Sequence, residues 1–362
     1  MKPKLYKALG LMSGTSLDGI DLALIETDGA DYVRPLGAMG RLYDEGFRNS
    51  LRQQLGHRRT ENNPSMASVE RTLTEKHAEI VCDFLAQSGE MVDVIGFHGQ
   101  TIYHNPAAHE TLQLGDGALL AELTGIDVVN DFRSADVLAG GHGAPFVPLY
   151  HRALVAIRPK PMLILNIGGV SNITWIGGVA DEQLLAFDVG PGNALIDDWV
   201  LTHTGRPYDH NGELAAIGTV AQDLVACVFE KPFFREPPPK SLDRDAFGGS
   251  LTRSLSVEDG AATLTRITAR AVALALPFLP QIPQEIYVAG GGRHNGTLMR
   301  WIGDETGLAV HTVDELGWSG DALEAQAFAW LAVRSILRLP LSLPKTTGVP
   351  SPMTGGFLHK AP

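Results

Sequence analysis

The chain has 362 residues, of which 44% are hydrophobic and 19% charged, and a formal charge of −12. Such a length suggests two or three domain-sized units, and the composition is that of a chain that buries full cores rather than a disordered one. The acidic balance argues against nucleic acid, whose binders carry a basic footprint. Cys82 and Cys227 lie far apart with no Cys-x-x-Cys spacing, so neither a zinc site nor a disulfide scaffold is expected, and a reducing cytoplasm fits. The longest apolar run, 271–280, is half a membrane span and is broken by Pro277, while glycines 10–19 cut short the N-terminal apolar stretch, so neither a membrane span nor a signal peptide is expected.

In chain order, residues 8–21 read as strand, tight turn, strand, with Gly14 and Gly19 supplying backbone freedom in the turn. A turn rich in Gly, Ser and Thr is an ordinary hairpin on one reading and an anion cradle of N–H groups and hydroxyls on the other. It is not a Walker loop, because no Gly-Lys-Ser/Thr follows and the next element is a strand. A strand is expected at 38–43, a short helix at 51–55, a turn at 61–64 and a strong helix at 65–85, where Val69, Leu73, His77, Ile80 and Phe84 keep helical spacing. Buried strands at 93–97 and 127–130 end at His98-Gly-Gln-Thr101 and Asp131-Phe-Arg133; polar strand ends are where open α/β sheets hold ligands.

Residues 162–176 repeat the pattern of strand, Gly turn and strand. Beyond them come a strand at 184–187, helices at 194–203 and 264–276, a strand at 286–289, a helix near 296–302, a strand near 309–312 and a helix from Asp321. The prolines of 235–240 read as an exposed loop. Two hairpins half a chain apart suggest a duplicated α/β unit. Actin, Hsp70 and sugar kinases share that architecture, a ribonuclease H-like fold in two lobes with a nucleotide cleft between them. Its third element, a late Gly-rich turn from strand to helix, is present at Glu285-Ile-Tyr-Val-Ala-Gly-Gly-Gly-Arg-His-Asn295. The expected lobes are 1–150 and 151–362, with a boundary near 149–161 and the last helix packing back on the first lobe.

Gly14-Thr-Ser-Leu-Asp-Gly-Ile-Asp21, His98-Gly-Gln-Thr101, Asn130-Asp-Phe-Arg133, Asn166-Ile-Gly-Gly169, Phe187-Asp-Val-Gly-Pro-Gly-Asn193 and Asp321-Ala-Leu-Glu-Ala-Gln-Ala-Phe-Ala-Trp330 together resemble the anhydro-N-acetylmuramic acid kinase family. The motifs run in family order over nearly the whole chain. One departure is Leu242-Asp243, where the family usually has Thr-Gly. The resemblance implies a cytoplasmic homodimer that uses ATP and Mg²⁺, opens the 1,6-anhydro sugar with water and phosphorylates the freed O6, in peptidoglycan recycling. It implies ATP contacts from Gly14, Thr15, Ser16, Leu17, Asp18, Gly19, Ile20, Asp21, Asn166, Gly168, Gly169, Gly290, Gly291 and Gly292. The rivals are another kinase or phosphohydrolase of the same superfamily, and a nucleotide-gated binding protein.

Individual residues carry two readings each. Asp188, at a strand mouth before Gly190-Pro-Gly192, suits a general base, which in the resembled family activates water; alternatively it caps the next helix, a task for which Asn193 is better placed. Asp18 either holds Mg²⁺ through water or satisfies turn amides, and Asp21 either. Asp321-x-x-Glu324 reads as a capping box, whereas the resemblance implies that Glu324 contacts sugar hydroxyls. Arg133 either binds the lactyl carboxylate or pairs with Asp131 or Asp136. Gln100 and Thr101 either bind the sugar or hold a turn. His98, His104 and His109 lack metal-ligand spacing, and no Gly-x-Ser-x-Gly marks Ser13 or Ser16 as a hydrolase nucleophile.

Overall fold

The computed structural model describes residues 3–14, 17–59, 63–242, 247 and 254–362. Contacts divide the chain into two compact units, Met1–Ile157 with Ala322–Pro362, and Arg158–Asp321.

The first unit opens with an antiparallel meander of β1 (Tyr6–Ser13), β2 (Gly19–Thr27) and β3 (Val33–Leu42). α1 (Glu45–Arg52) begins before the expected 51–55, because Asp44 caps it by accepting from the Phe47 N–H at 2.8 Å. α2 (Pro64–Ser88) has an Asn63 cap, a first-turn proline and a left-handed Gly89 to end it. β4 (Val94–Asn105) runs parallel to β1 and on through His98–Thr101, where the sequence reading had ended it. The reason is tertiary: β5 (Glu110–Leu114) folds back on its outer half and supplies a ladder to the polar motif. α3 (Gly117–Thr124), β6 (Val128–Asn130), α4 (Ser134–Leu138) and α5 (Pro148–Leu154) follow.

The second unit has its own meander, β7 (Met162–Ile167), β8 (Val170–Ile176) and β9 (Leu184–Pro191). α6 (Ala194–Thr204), α7 (Glu213–Ile217), α8 (Gln222–Phe229) and α9 (Val257–Ala275) come next; α9 starts ahead of the expected 264 because Ser256 caps it. β10 (Glu285–Ala289), α10 (Gly296–Thr306) and β11 (Ala309–Thr312) complete the unit. α11 (Leu323–Ile336), α12 (Pro344–Thr347) and β12 (Phe357–His359) belong to the first unit.

The two sheets repeat one topology. In each, three meander strands are followed by two strands parallel to the first, in the orders β3-β2-β1-β4-β6 and β9-β8-β7-β10-β11. This is the ribonuclease H-like order, duplicated; the first sheet adds β5 and an antiparallel β12 beside β6. Alternation along β1 sends Leu9 and Leu11 into one core with Leu73, Ile80 and Phe84 of α2. Gly10 faces the other way, under α11, where a Cβ would lie 1.8 Å from the Ala325 carbonyl oxygen. Gly96 of β4 is equally tight, 2.1 Å from the Phe328 oxygen. In the second unit Leu163, Leu165, Phe187 and Val189 pack with Ile267 and Val272 of α9. Among the described residues no single helix is long and apolar enough to cross a membrane.

Candidate active site

In the second unit β9 continues past the expected end at 187, so Asp188 lies inside the strand rather than at its mouth. Register pairs Asn166 of β7 with Asn172 of β8, and Asn172 with Asp188 of β9. Residues directly opposite share a face, so the three half-buried polar side chains form a row across a sheet that is otherwise buried there. A register shift between Ser171 and Asn172 marks a bulge at this row. Asn172 was not singled out in the sequence; its one signal is an amide in a strand whose neighbours are apolar or hydroxyl-bearing.

The Asp188 carboxylate accepts from the Leu242 N–H at 2.7 Å, and the Asp188 N–H donates to the Lys240 carbonyl at 3.0 Å. Burial pushes its carboxyl up from 3.8 to about 7, against the lowering effect of the Leu242 bond. A carboxyl poised there exchanges protons near neutrality, as a general base does. The loop that holds it is exposed at Arg235, Glu236 and Pro237, as the prolines suggested, and is anchored at its far end by Lys240. Lys240 is buried, donates from Nζ to the Phe233 carbonyl at 2.8 Å, and lies 4.5 Å, 4.8 Å and 5.8 Å from the ring centres of Phe233, Phe278 and Phe187. Leu242 packs against the unit's core, whereas Asp243 lies outside the described residues.

Three glycine turns meet beside this row. The Gly192 and Asn193 N–H groups donate to the Gly169 and Gly168 carbonyls, at 3.0 and 2.7 Å. Asn193 stands at the start of α6, yet its side chain does not cap the helix; it donates to the Ile167 carbonyl at 3.1 Å. Gly290 has φ +75°, and a Cβ there would strike Asn166 Oδ1 and the Ile167 oxygen at 2.6 Å. Arg293 holds the Gly290 carbonyl at 3.0 Å and is itself held by Asp314 at 2.9 Å and Asp321 at 2.8 Å. Asp321 is therefore an ion-pair partner, and the expected capping box is not formed; α11 starts after Ala322 with no side-chain cap. Gly169 and Gly291 differ from the packed glycines. A Cβ at either would meet its nearest atom only at 3.6 or 3.5 Å, and neither has a left-handed φ. Neither packing nor conformation requires glycine there.

In the first unit Gly14 accepts from the Leu17 N–H and from Gln100 Nε2, both at 3.1 Å. Gln100 is fully buried and also accepts from the Ser13 hydroxyl at 2.6 Å, so its amide holds the first turn rather than facing outward. Thr101 Oγ1 accepts from Gln113 at 3.2 Å. Leu17 and Ile20 bury their side chains in the core. Gly19 sits against β3, where a Cβ would lie 2.4 Å from the Arg41 oxygen. Asp18 and Asp21 are exposed, and both raise the pKa of the buried Tyr43 hydroxyl, after burial itself. Thr15 and Ser16 lie outside the described residues.

Arg133 donates from Nε to His98 Nε2 at 3.0 Å and from Nη1 to the Gly143 carbonyl at 2.5 Å. Burial lowers its pKa to about 10, opposed by Glu324 and Asp136, so it stays charged at neutrality. Glu324 faces it without a direct ion pair; burial raises the carboxyl and Arg133 lowers it. Asp136 serves the fold instead, accepting from the Gly143 N–H at 2.7 Å and from the Ser342 and Thr347 hydroxyls at 2.5 and 2.6 Å. A guanidinium edge and a carboxylate thus remain beside each other, able to take a carboxylate and a hydroxyl. Among the described residues no three His, Cys, Asp or Glu side chains gather to hold a metal ion.

A sequence profile of the anhydro-N-acetylmuramic acid kinase family matches residues 6–361. The chain belongs to this family. Anhydro-N-acetylmuramic acid kinases of Rhizorhabdus wittichii and Paramagnetospirillum magneticum are 51% and 53% identical to it; the first match covers 98% of both chains, the second 97% of this chain and 99% of the relative. That of Zymomonas mobilis is 49% identical over 97% of this chain and 99% of its own. Solved structures align remotely: component A of (R)-2-hydroxyglutaryl-CoA dehydratase from Acidaminococcus fermentans shares 15% identity at a TM-score of 0.47, over 91% of this chain and 99% of that one. The family is the one the motifs resemble, and it spans both units.

Proposed function

We propose that the protein is an ATP-dependent kinase that opens 1,6-anhydro-N-acetylmuramic acid with water and phosphorylates O6, releasing N-acetylmuramate 6-phosphate and ADP in cell-wall recycling. The observation that carries the reading is Asp188, a half-buried carboxyl raised to about 7 in a polar row beside glycine turns with open backbone. Asp188 takes a proton from water as that water attacks C1. The C1–O6 bond breaks, and O6 takes the γ-phosphoryl of ATP. Asn172 lies next to Asp188 in register and is suited to hold the same water. Gly168, Gly169, Gly290, Gly291 and Gly292 offer bare backbone to the nucleotide, as does the first turn at Gly14. Arg133 receives the lactyl carboxylate and Glu324 a sugar hydroxyl.

Mg²⁺ keeps most of its waters and needs few carboxylates, which the exposed Asp18 fits, with Asp21 near it. When bound it neutralises charge on the transferring phosphoryl. A cytoplasmic homodimer completes the proposal; sedimentation of the purified protein checks the dimer.

An anhydro sugar has no free O6 hydroxyl, so an ordinary kinase base would have nothing to deprotonate; water is the remaining proton source. Turnover in ¹⁸O-water is expected to place label on C1 and none in the phosphoryl group. Label in the phosphoryl group or in free phosphate identifies a phosphohydrolase and rejects the reading.

A further inference from the structure

We propose that His98 is a positioning residue for the reaction: as a neutral imidazole with its proton on Nδ1, it fixes the Arg133 guanidinium in the orientation that recognises a substrate carboxylate. The inference rests on the proposed role of Arg133 and assigns a task to a side chain that touches no substrate.

The tautomer follows from the partners. His98 Nδ1 lies 2.7 Å from the Gly99 carbonyl oxygen, which can only accept, so Nδ1 carries the proton. Nε2 is then a bare lone pair, and the Arg133 Nε–H points at it from 3.0 Å. A guanidinium has no acceptor, so a doubly protonated ring would set two donors against each other. The surroundings keep the ring neutral: His98 is buried, its pKa is well below the ordinary value, and burial and then Arg133 are the leading causes. Its ring also lies 4.5 Å from that of Phe328 on α11, which fixes its plane.

The other side of the guanidinium is fixed as firmly. Nη1 donates to the Gly143 carbonyl, and the Gly143 N–H is held by buried Asp136. Phe146 and Phe328 flank the group, with ring centres 5.5 and 5.9 Å away. Two of its three nitrogens are therefore committed within the protein, and no described residue takes Nη2. With the Nε–H and one Nη1 N–H committed, Nη2 and the remaining Nη1 N–H are left to meet a carboxylate end-on in a single geometry. Without His98 Nε2 the side chain keeps its charge but loses the bond that fixes its rotation about the Nε edge.

The test compares the anhydro sugar bearing a free lactyl carboxylate with its carboxamide, in wild type, Arg133→Met, His98→Leu and His98→Gln, all checked for folding by thermal melting. Wild type is expected to prefer the carboxylate in KM. Arg133→Met abolishes that preference, and His98→Leu reduces it by about tenfold, with the KM for ATP within about twofold of wild type. His98→Gln, whose amide oxygen can replace the Nε2 acceptor, keeps most of the preference. If Arg133→Met leaves the preference intact, the carboxylate-binding role itself falls and the inference falls with it. If Arg133→Met abolishes it and His98→Leu does not, only the positioning role is overturned. An ¹⁵N spectrum of unmodified protein at neutral pH gives a reading that needs no variant. A bare Nε2 and a protonated Nδ1 on His98 agree with the assignment, and a protonated Nε2 rejects it.

Discussion

At the scale of single residues, Asp188 ties function to stability through one titration. Asp188→Asn is nearly isosteric but cannot accept a proton, so turnover is expected to fall by about 10²–10⁴-fold with sugar binding retained. Turnover within threefold of wild type removes Asp188 from the base role. In wild type, kcat/KM should decline as pH falls below about 7, where the carboxyl takes up a proton. Stability moves the opposite way. The folded carboxyl titrates near 7 against an ordinary 3.8, so between those values the folded chain holds a proton the unfolded chain has lost. The associated stability is present at low pH and disappears as pH rises through about 7. Asp188→Asn should therefore melt above wild type at pH 8, with the gap closing toward pH 5. A gap that widens on acidification contradicts this assignment.

At the scale of elements, glycines of one kind in the sequence separate into two kinds. Gly96 is a packing glycine, with the Phe328 carbonyl of α11 2.1 Å from where its Cβ would stand. Gly96→Ala should cost about 1–3 kcal/mol or more, since backbone rather than a flexible side chain must move; chemical denaturation measures it. Gly169 and Gly291 have room. Gly169→Val and Gly291→Val should melt near wild type yet raise the KM for ATP far more than that for the sugar. Unchanged ATP kinetics in both folded variants would make them turn residues only. Sequence spacing could not draw this distinction, because what decides it is the backbone that crosses each position from elsewhere in the chain.

At the scale of the molecule, residues 322–362 complete a unit begun at the other end of the chain. α11 buries Phe328, Trp330 and Leu331, while Arg334 donates to the Gly29 carbonyl at 2.9 Å and to that of Pro340 at 2.7 Å. Removal of 322–362 strips one face of the first sheet, exposing Gly10 and Gly96 and deleting Glu324. The shortened chain is expected to bind a hydrophobic dye and to lose cooperative melting of the first unit. A single sharp transition at the wild-type midpoint, without dye binding, would show that α11 is dispensable to the fold.

Much of this was legible in the chain by itself. The two hairpins, the 65–85 helix and the late Gly-rich turn follow from local periodicity and turn chemistry, which short windows encode. The family, too, was readable from the motifs. Other features depended on residues distant in sequence. β5 carries β4 through the His98–Thr101 motif, and β8 keeps Asp188 inside a strand. Arg293 claims Asp321, so the capping box that a window of four residues predicts does not form. Lys240 anchors the end of the proline loop against three aromatic rings that no local pattern could assign to it. The environments of Asp188, His98 and Arg133 were set in the same way, because desolvation and hydrogen-bond partners come from whichever strands and loops the fold lays against them.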